Sequence, residues 1–189
     1  MQMKCTALTA IAVALFHITM PGSALAAKSD SCAHCHGVDG NSSGSAYPSL
    51  AGQTKEYLYR QIKAFQEGTR KDSMMSPAAV VLGDQDMQEL AEYYSSQTLT
   101  RSSFQVDPAI VSEGRKIAEQ LQCAVCHQPG FKGLNEFPRL SRQKYTYLVK
   151  QLKDYRSGQR NNDNGVMAAT AKNLNDDQIR ALAQYLTGL

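Results

Sequence analysis

The chain has 189 residues, 42% of them hydrophobic, with 20 lysines and arginines against 17 acidic residues and a formal net charge of +3. That length holds one or two small domains, and the charge is too evenly mixed to point to nucleic acid. Beyond the N-terminal leader no apolar run approaches the roughly 20 residues needed to span a bilayer, so no transmembrane helix is expected in the mature part.

The N-terminus is set apart from the rest. Lys4 precedes an apolar stretch from Ala7 to Ile18, and Ser23-Ala24-Leu25-Ala26 is a small-residue cleavage site, so residues 1–26 are predicted to be a secretory signal peptide and Ala27 the first mature residue. A retained membrane anchor is the alternative. Cys5 and His17 leave with the leader, so the mature chain keeps Cys32, Cys35, Cys123 and Cys126, with His34, His36 and His127. In an oxidising compartment such thiols are cross-linked, metal-bound or chemically capped.

The first pair lies in SCAHCHGVDG, followed by a Gly, Asn and Ser cluster to Ser45 that reads as a loop. Tyr57, Leu58, Ile62 and Phe65 then mark a helix ended by Gly68. Met87, Leu90, Ala91 and Tyr94 fall at i, i+3, i+4 and i+7 behind Asp84, a residue able to cap. A polar stretch from Ser95 to Ser103 makes a linker. Asp107-Pro108 starts a helix through Ile117 and Leu121 into the second cysteine pair, with Asp as cap and Pro in the first turn. Tyr147, Leu148, Leu152 and Tyr155 mark a further helix before Gly158, and Ile179, Leu182, Ala183 and Leu186 a last one behind Asp176. No strand alternation competes, so the protein is expected to be all-α.

Much of this is one unit written twice. Cys32, Cys35 and His36 recur 91 residues later as Cys123, Cys126 and His127. YPSLAGQTKEYLYRQIKAFQEGTR from Tyr47 recurs 90 residues later from Phe137, and the stretch from Met75 recurs 92 residues later from Met167. A tandem duplication of about ninety residues follows, with domains expected over 27–94 and 107–189 joined by a linker over 95–106. Each copy has a thin core, and domains of that size usually need a cofactor or cross-link.

The motif itself selects the cofactor. Structural zinc takes four protein ligands, and neither copy has a second pair nearby to complete a tetrahedron. A thioredoxin-like disulfide wants a βαβ context, which is missing, and has no need of the following histidine. C-x-x-C-H accounts for every element as c-type haem attachment, two thiols forming thioethers and the adjacent histidine binding iron. The sixth ligand follows by counting. His36 and His127 are committed, and His34 lies between two attached cysteines on the same side, so methionine is the remaining common choice, and Met/His ligation raises the potential. The second copy contains Met167 alone. Of Met74, Met75 and Met87 in the first, Met87 lies on an apolar helix face, and the repeat register pairs Met167 with Met75, with Met74 as runner-up.

With these residues in hand, the chain resembles the dihaem cytochrome c4 family, two class I cytochrome c domains in tandem. The likeness runs over nearly all of the mature chain: C-x-x-C-H-G-x-D-G-N in the first copy, Pro-x-Leu before a helix of the form YLxxQLKxFxxGxR, then Met and a terminal helix with LAxY. The resemblance implies an exported, periplasmic electron carrier and no catalysis. Its two covalent haem c groups, both Met/His ligated, face each other across a pseudo-twofold interface. It also implies that the carbonyls of Pro48 and Pro138 accept a hydrogen bond from the proximal histidines. Donors would be a quinol–cytochrome c reductase or a dehydrogenase and the acceptor a terminal oxidase, the protein being a monomer, free or peripherally bound to the membrane.

Two departures stand out. The first copy has only Ala27 to Ser31 between the predicted cleavage point and Cys32, where the second has a long helix, so the first domain is expected to be less stable or more exposed at its haem. Secondly, Ala51-Gly52-Gln53 becomes Ser141-Arg142-Gln143; Arg142 is either a propionate partner or an exposed residue without a specific role. Residues 27–104 carry a net charge of −2 and residues 105–189 one of +4, which is either ordinary solvated surface or a dipole that presents one end to each partner. Competing functions are a dihaem subunit of a dehydrogenase, such as a flavocytochrome c sulfide dehydrogenase, and an enzyme in its own right, which would need one haem to lose its methionine.

Overall fold

A computed structural model describes residues 22–189, with side chains from Ser29 onward. The predicted leader lies outside the described residues apart from the backbone from Gly22, which already belongs to the first helix. Among the described residues nine α-helices run in the order α1 (Gly22–His36), α2 (Lys55–Gln66), α3 (Met75–Val80), α4 (Asp84–Ser95), α5 (Pro108–Gln120), α6 (Ala124–His127), α7 (Tyr145–Ser157), α8 (Val166–Ala171) and α9 (Asp176–Gly188). Among the described residues there is no strand, only an isolated bridge between Leu134 and Phe137. None of these helices is long and apolar enough to cross a membrane.

The helices form because their apolar residues share a face, and they stop where the backbone is turned. Gly158 takes a left-handed conformation (φ 77°) directly after α7, and Gly68 (φ 73°) does the same beyond α2. Asp107 caps α5 as expected, its carboxylate accepting from the amides of Ala109 at 2.8 Å and Ile110 at 3.4 Å. Replacing it, Asp107→Ala, is expected to cost about 1 kcal/mol, measured by thermal unfolding. The caps of α4 and α9 lie one residue before the predicted ones. They are Gly83 and Asn175, and Asp84 and Asp176 occupy the first helical turn, where a negative charge meets the positive end of the helix.

The two halves differ at their cysteine motifs. α1 runs unbroken through Cys32, Cys35 and His36, whereas α5 stops at Gln120, Gln122 turns at φ 53°, and the second motif folds as the separate short helix α6. α5 lies so close against α9 that a Cβ on Gly114 would stand 2.1 Å from the carbonyl oxygen of Ala181. Among the described residues the second half has the larger contiguous cluster of buried apolar side chains, including Ile117, Phe131, Leu148 and Leu182, while that of the first half consists of Leu58, Leu90, Ala91 and Tyr94. Met87 is buried, in keeping with a packing role.

The segment between α4 and α5 is fastened to both halves. Asn41 donates to the carbonyl of Thr98 at 2.9 Å and accepts from the Thr100 amide at 2.8 Å. Phe104 stacks on Tyr145 with centroids 4.4 Å apart.

Candidate functional site

Between the halves lies one cavity of about 1330 Å³ whose lining takes in Cys32, Cys35, His36 and Met75 from the first copy and Cys123, Cys126, His127 and Met167 from the second. The cysteines, the following histidines and the two methionines paired by the repeat register therefore border the same space. His36 and His127 are buried, and each donates its Nδ1 proton to a proline carbonyl at 2.9 Å, Pro48 in one case and Pro138 in the other. The bond fixes the tautomer and leaves Nε2 with its lone pair. Burial lowers the basicity of both rings against the opposing effect of the proline carbonyl, and so favours the neutral form that a metal ligand needs. Burial also pushes the thiols of Cys32 and Cys123 up.

Met75 opens α3 and Met167 is the second residue of α8, both lining the cavity, and each amide is held by an aspartate just upstream: Asp72 at 3.2 Å and Asp163 at 2.7 Å. The register also separates Met74 from Met75. Met74 is 58% exposed, like its counterpart Val166 at 57%, while Met75 and Met167 are partly buried. His34 is exposed, its ring beside the Asp30 carbonyl and away from this space.

Sequence reasoning missed the groups that join the halves. Gln53 exchanges two hydrogen bonds with the backbone of Arg139, at 3.1 and 2.7 Å, and Gln143 exchanges two with the backbone of Ser49, at 2.8 and 2.9 Å. A second set also crosses the boundary. Arg70 donates to Gln61, Tyr147 and Gln151 at 2.8, 3.0 and 2.7 Å; Arg160 donates to Gln151, Tyr57 and Gln61 at 2.6, 3.0 and 3.0 Å. Each guanidinium also lies over an aromatic ring of its own half, Phe65 or Tyr155, at 4.5 Å. Gln53, Tyr57, Gln61 and Arg70 recur ninety positions later as Gln143, Tyr147, Gln151 and Arg160, so the arrangement is pseudo-twofold. The repeat register held a signal for them, since both copies carry the same glutamine and arginine, but on a helix surface such residues read as solvated. Tyr57 and Tyr147, expected on apolar faces, use their hydroxyls across the boundary. Burial alone would raise the Tyr57 phenol, and the two adjacent guanidiniums outweigh it and pull it down.

Arg142 faces elsewhere. Its amide donates to Leu186 at 2.8 Å and its Nε to the Leu189 carbonyl at 3.2 Å, so at φ 57° it closes the end of α9, as Gly52 closes α4 by bonding Tyr94 at 3.0 Å. Arg142 does not line the cavity, and its side chain is used at the end of α9.

Paired thiols, a buried neutral imidazole, apolar walls and arginines suit a covalently held haem in each copy. The cytochrome c family matches residues 20–98 and again 111–189. Cytochrome c4 of Pseudomonas aeruginosa is 37% identical over 186 residues, covering 93% of this chain and 92% of its own. The thiosulfate dehydrogenase electron acceptor of Thiomonas intermedia is 34% identical over 167 residues, covering 82% and 77%. The crystal structure of reduced recombinant cytochrome c4 from Pseudomonas stutzeri superposes with a TM-score of 0.82 at 35% identity, covering 88% of this chain and 97% of that one. With two family matches in tandem and a C-x-x-C-H motif in each, the chain belongs to the cytochrome c family and is a cytochrome c4-like electron carrier with two covalent haem c groups.

Proposed function

We propose that this protein is a periplasmic carrier in a respiratory chain, taking electrons from a quinol–cytochrome c reductase or a dehydrogenase and passing them toward a terminal oxidase. In this reading residues 1–26 are removed on export, and domains 27–94 and 107–189 flank a linker over 95–106. Cys32 and Cys35 hold the first haem and Cys123 and Cys126 the second, His36 and His127 are the proximal ligands, and Met75 and Met167 the distal ones. The observation that carries it is that both copies present the same four residues to one shared cavity. Haem c, when bound, supplies a one-electron Fe(III)/Fe(II) couple.

The chain's own groups do the rest. Pro48 and Pro138 orient the two imidazoles, the aspartates before α3 and α8 position the methionines, and Arg70 and Arg160, which line the cavity, would supply positive charge to haem propionates. With a histidine and a methionine both held to it, each iron would have no open position for a substrate, which suits transfer of electrons without catalysis. A second reading, the electron acceptor of a dehydrogenase, is favoured by the likeness to the thiosulfate dehydrogenase electron acceptor.

The test is an absorption spectrum of the purified mature protein, oxidised and reduced, with haem quantified per chain. Two haems with the weak near-red band of methionine-ligated ferric iron at full strength are expected. A high-spin ferric signal or a single haem would overturn the ligand set. Co-purification with a dehydrogenase would favour the second reading.

A further inference from the structure

Arg139 breaks the pseudo-twofold pattern of the boundary clusters, since Ser49 stands at its counterpart position. Its side chain is only 5% exposed, and its guanidinium donates to carbonyl oxygens alone: Gly52 at 3.2 Å, Ala51 at 3.1 Å, Ser49 at 3.5 Å and Ser141. Among the described residues no carboxylate lies within ion-pair distance of it. Burial, joined by the smaller effect of the neighbouring cation Arg142, holds its pKa down to about 10, and at neutral pH it stays charged. The sequence sets this charge one residue after Pro138, which accepts from His127. The fold sets it against the carbonyl of Ser49, one residue after Pro48, which accepts from His36. It also lines the shared cavity.

We infer that Arg139 is a potential-setting residue, a fixed buried cation placed between the two proximal histidine supports that favours the ferrous state of both haems. The physical reason is that reduction adds one electron to an iron, and a nearby positive charge stabilises the more negative state without making or breaking a bond. Burial matters because charge–charge interaction is screened little there. Unit charges about 10 Å apart at an effective dielectric constant near 20 change an equilibrium on the order of tenfold. The inference rests on both haems occupying the shared cavity, which the haem spectrum of each variant checks independently of the potentials.

The experiment is a spectroelectrochemical titration of the dihaem protein and of Arg139→Met, with Gln53→Leu as the neutral comparison. Arg139→Met removes the charge; Gln53→Leu breaks the bonding between Gln53 and the Arg139 backbone and leaves the charge in place. Arg139→Met is expected to lower both potentials by roughly tenfold in the ferrous-to-ferric ratio at a fixed applied potential, about 59 mV for a one-electron couple, with an unchanged low-spin spectrum. Gln53→Leu is expected to leave both where they were. Unmoved potentials in Arg139→Met, or an equal fall in Gln53→Leu, would overturn the inference and leave Arg139 a structural clamp. Should Arg139→Met yield no holoprotein, Arg139→Gln, which retains donors for the carbonyls, carries the same comparison.

Discussion

Met167→Ala is expected to turn the second haem high-spin and open to exogenous ligands while the first titrates as before. The reason is the arrangement at the start of α8, where Met167 is the second copy's only methionine and its amide is fixed by Asp163 at 2.7 Å. Losing a thioether ligand lowers the potential of that haem. Half of the near-red methionine band should disappear, because one of two irons is affected. The same residue packs against the second core, so unfolding should also become easier by roughly 2 kcal/mol. Cyanide binding to the oxidised variant and a redox titration check both points. Unchanged titration of both haems would remove Met167 from the ligand set.

Gly114→Ala should be among the most damaging single-methyl additions in the second half. A Cβ there would lie 2.1 Å from the Ala181 carbonyl oxygen and 2.8 Å from Tyr185 Cβ, positions no rotamer can relieve because the first is backbone. α5 and α9 must move apart, which loosens Ile117 and Ala118 from Ala181 and Leu182. Alanine gains about 1 kcal/mol of helix propensity over glycine, but overpacking outweighs it, for a net loss on the order of 3 kcal/mol. For a domain of this size that lowers the melting temperature by about 10 °C or more. Calorimetry should show the transition of the second half moving while that of the first stays. A melting profile like that of the parent protein would mean that the two helices do not support the second half as their packing indicates.

Local spacing made much of the site legible. Cys32, Cys35 and His36 are brought together by one turn of helix, so their grouping needs no distant residue. The same holds for Cys123, Cys126 and His127, and the repeat register carried the reasoning from Met167 to Met75. Helix faces such as Met87, Leu90, Ala91 and Tyr94 were legible for the same reason, and the four are buried as their periodicity requires.

The boundary between the halves was not legible in that way. Gln61 and Arg70, or Gln151 and Arg160, look like solvated polar positions until the second copy of the unit closes over them. Arg142 shows the limit from the other side: a bulky residue in a glycine position at φ 57° is explained only by the end of α9 that lies beside it.

The sequence alone determined a duplicated all-α unit and a haem-attachment motif in each copy, because helical periodicity and the spacing of thiols and imidazole act over a few residues. The tertiary structure decided which glutamines, arginines and tyrosines cross between the halves and where the unpaired charge of Arg139 is buried. Those outcomes depend on desolvation and on partners about ninety positions away, and a buried polar group is recognisable only by what surrounds it.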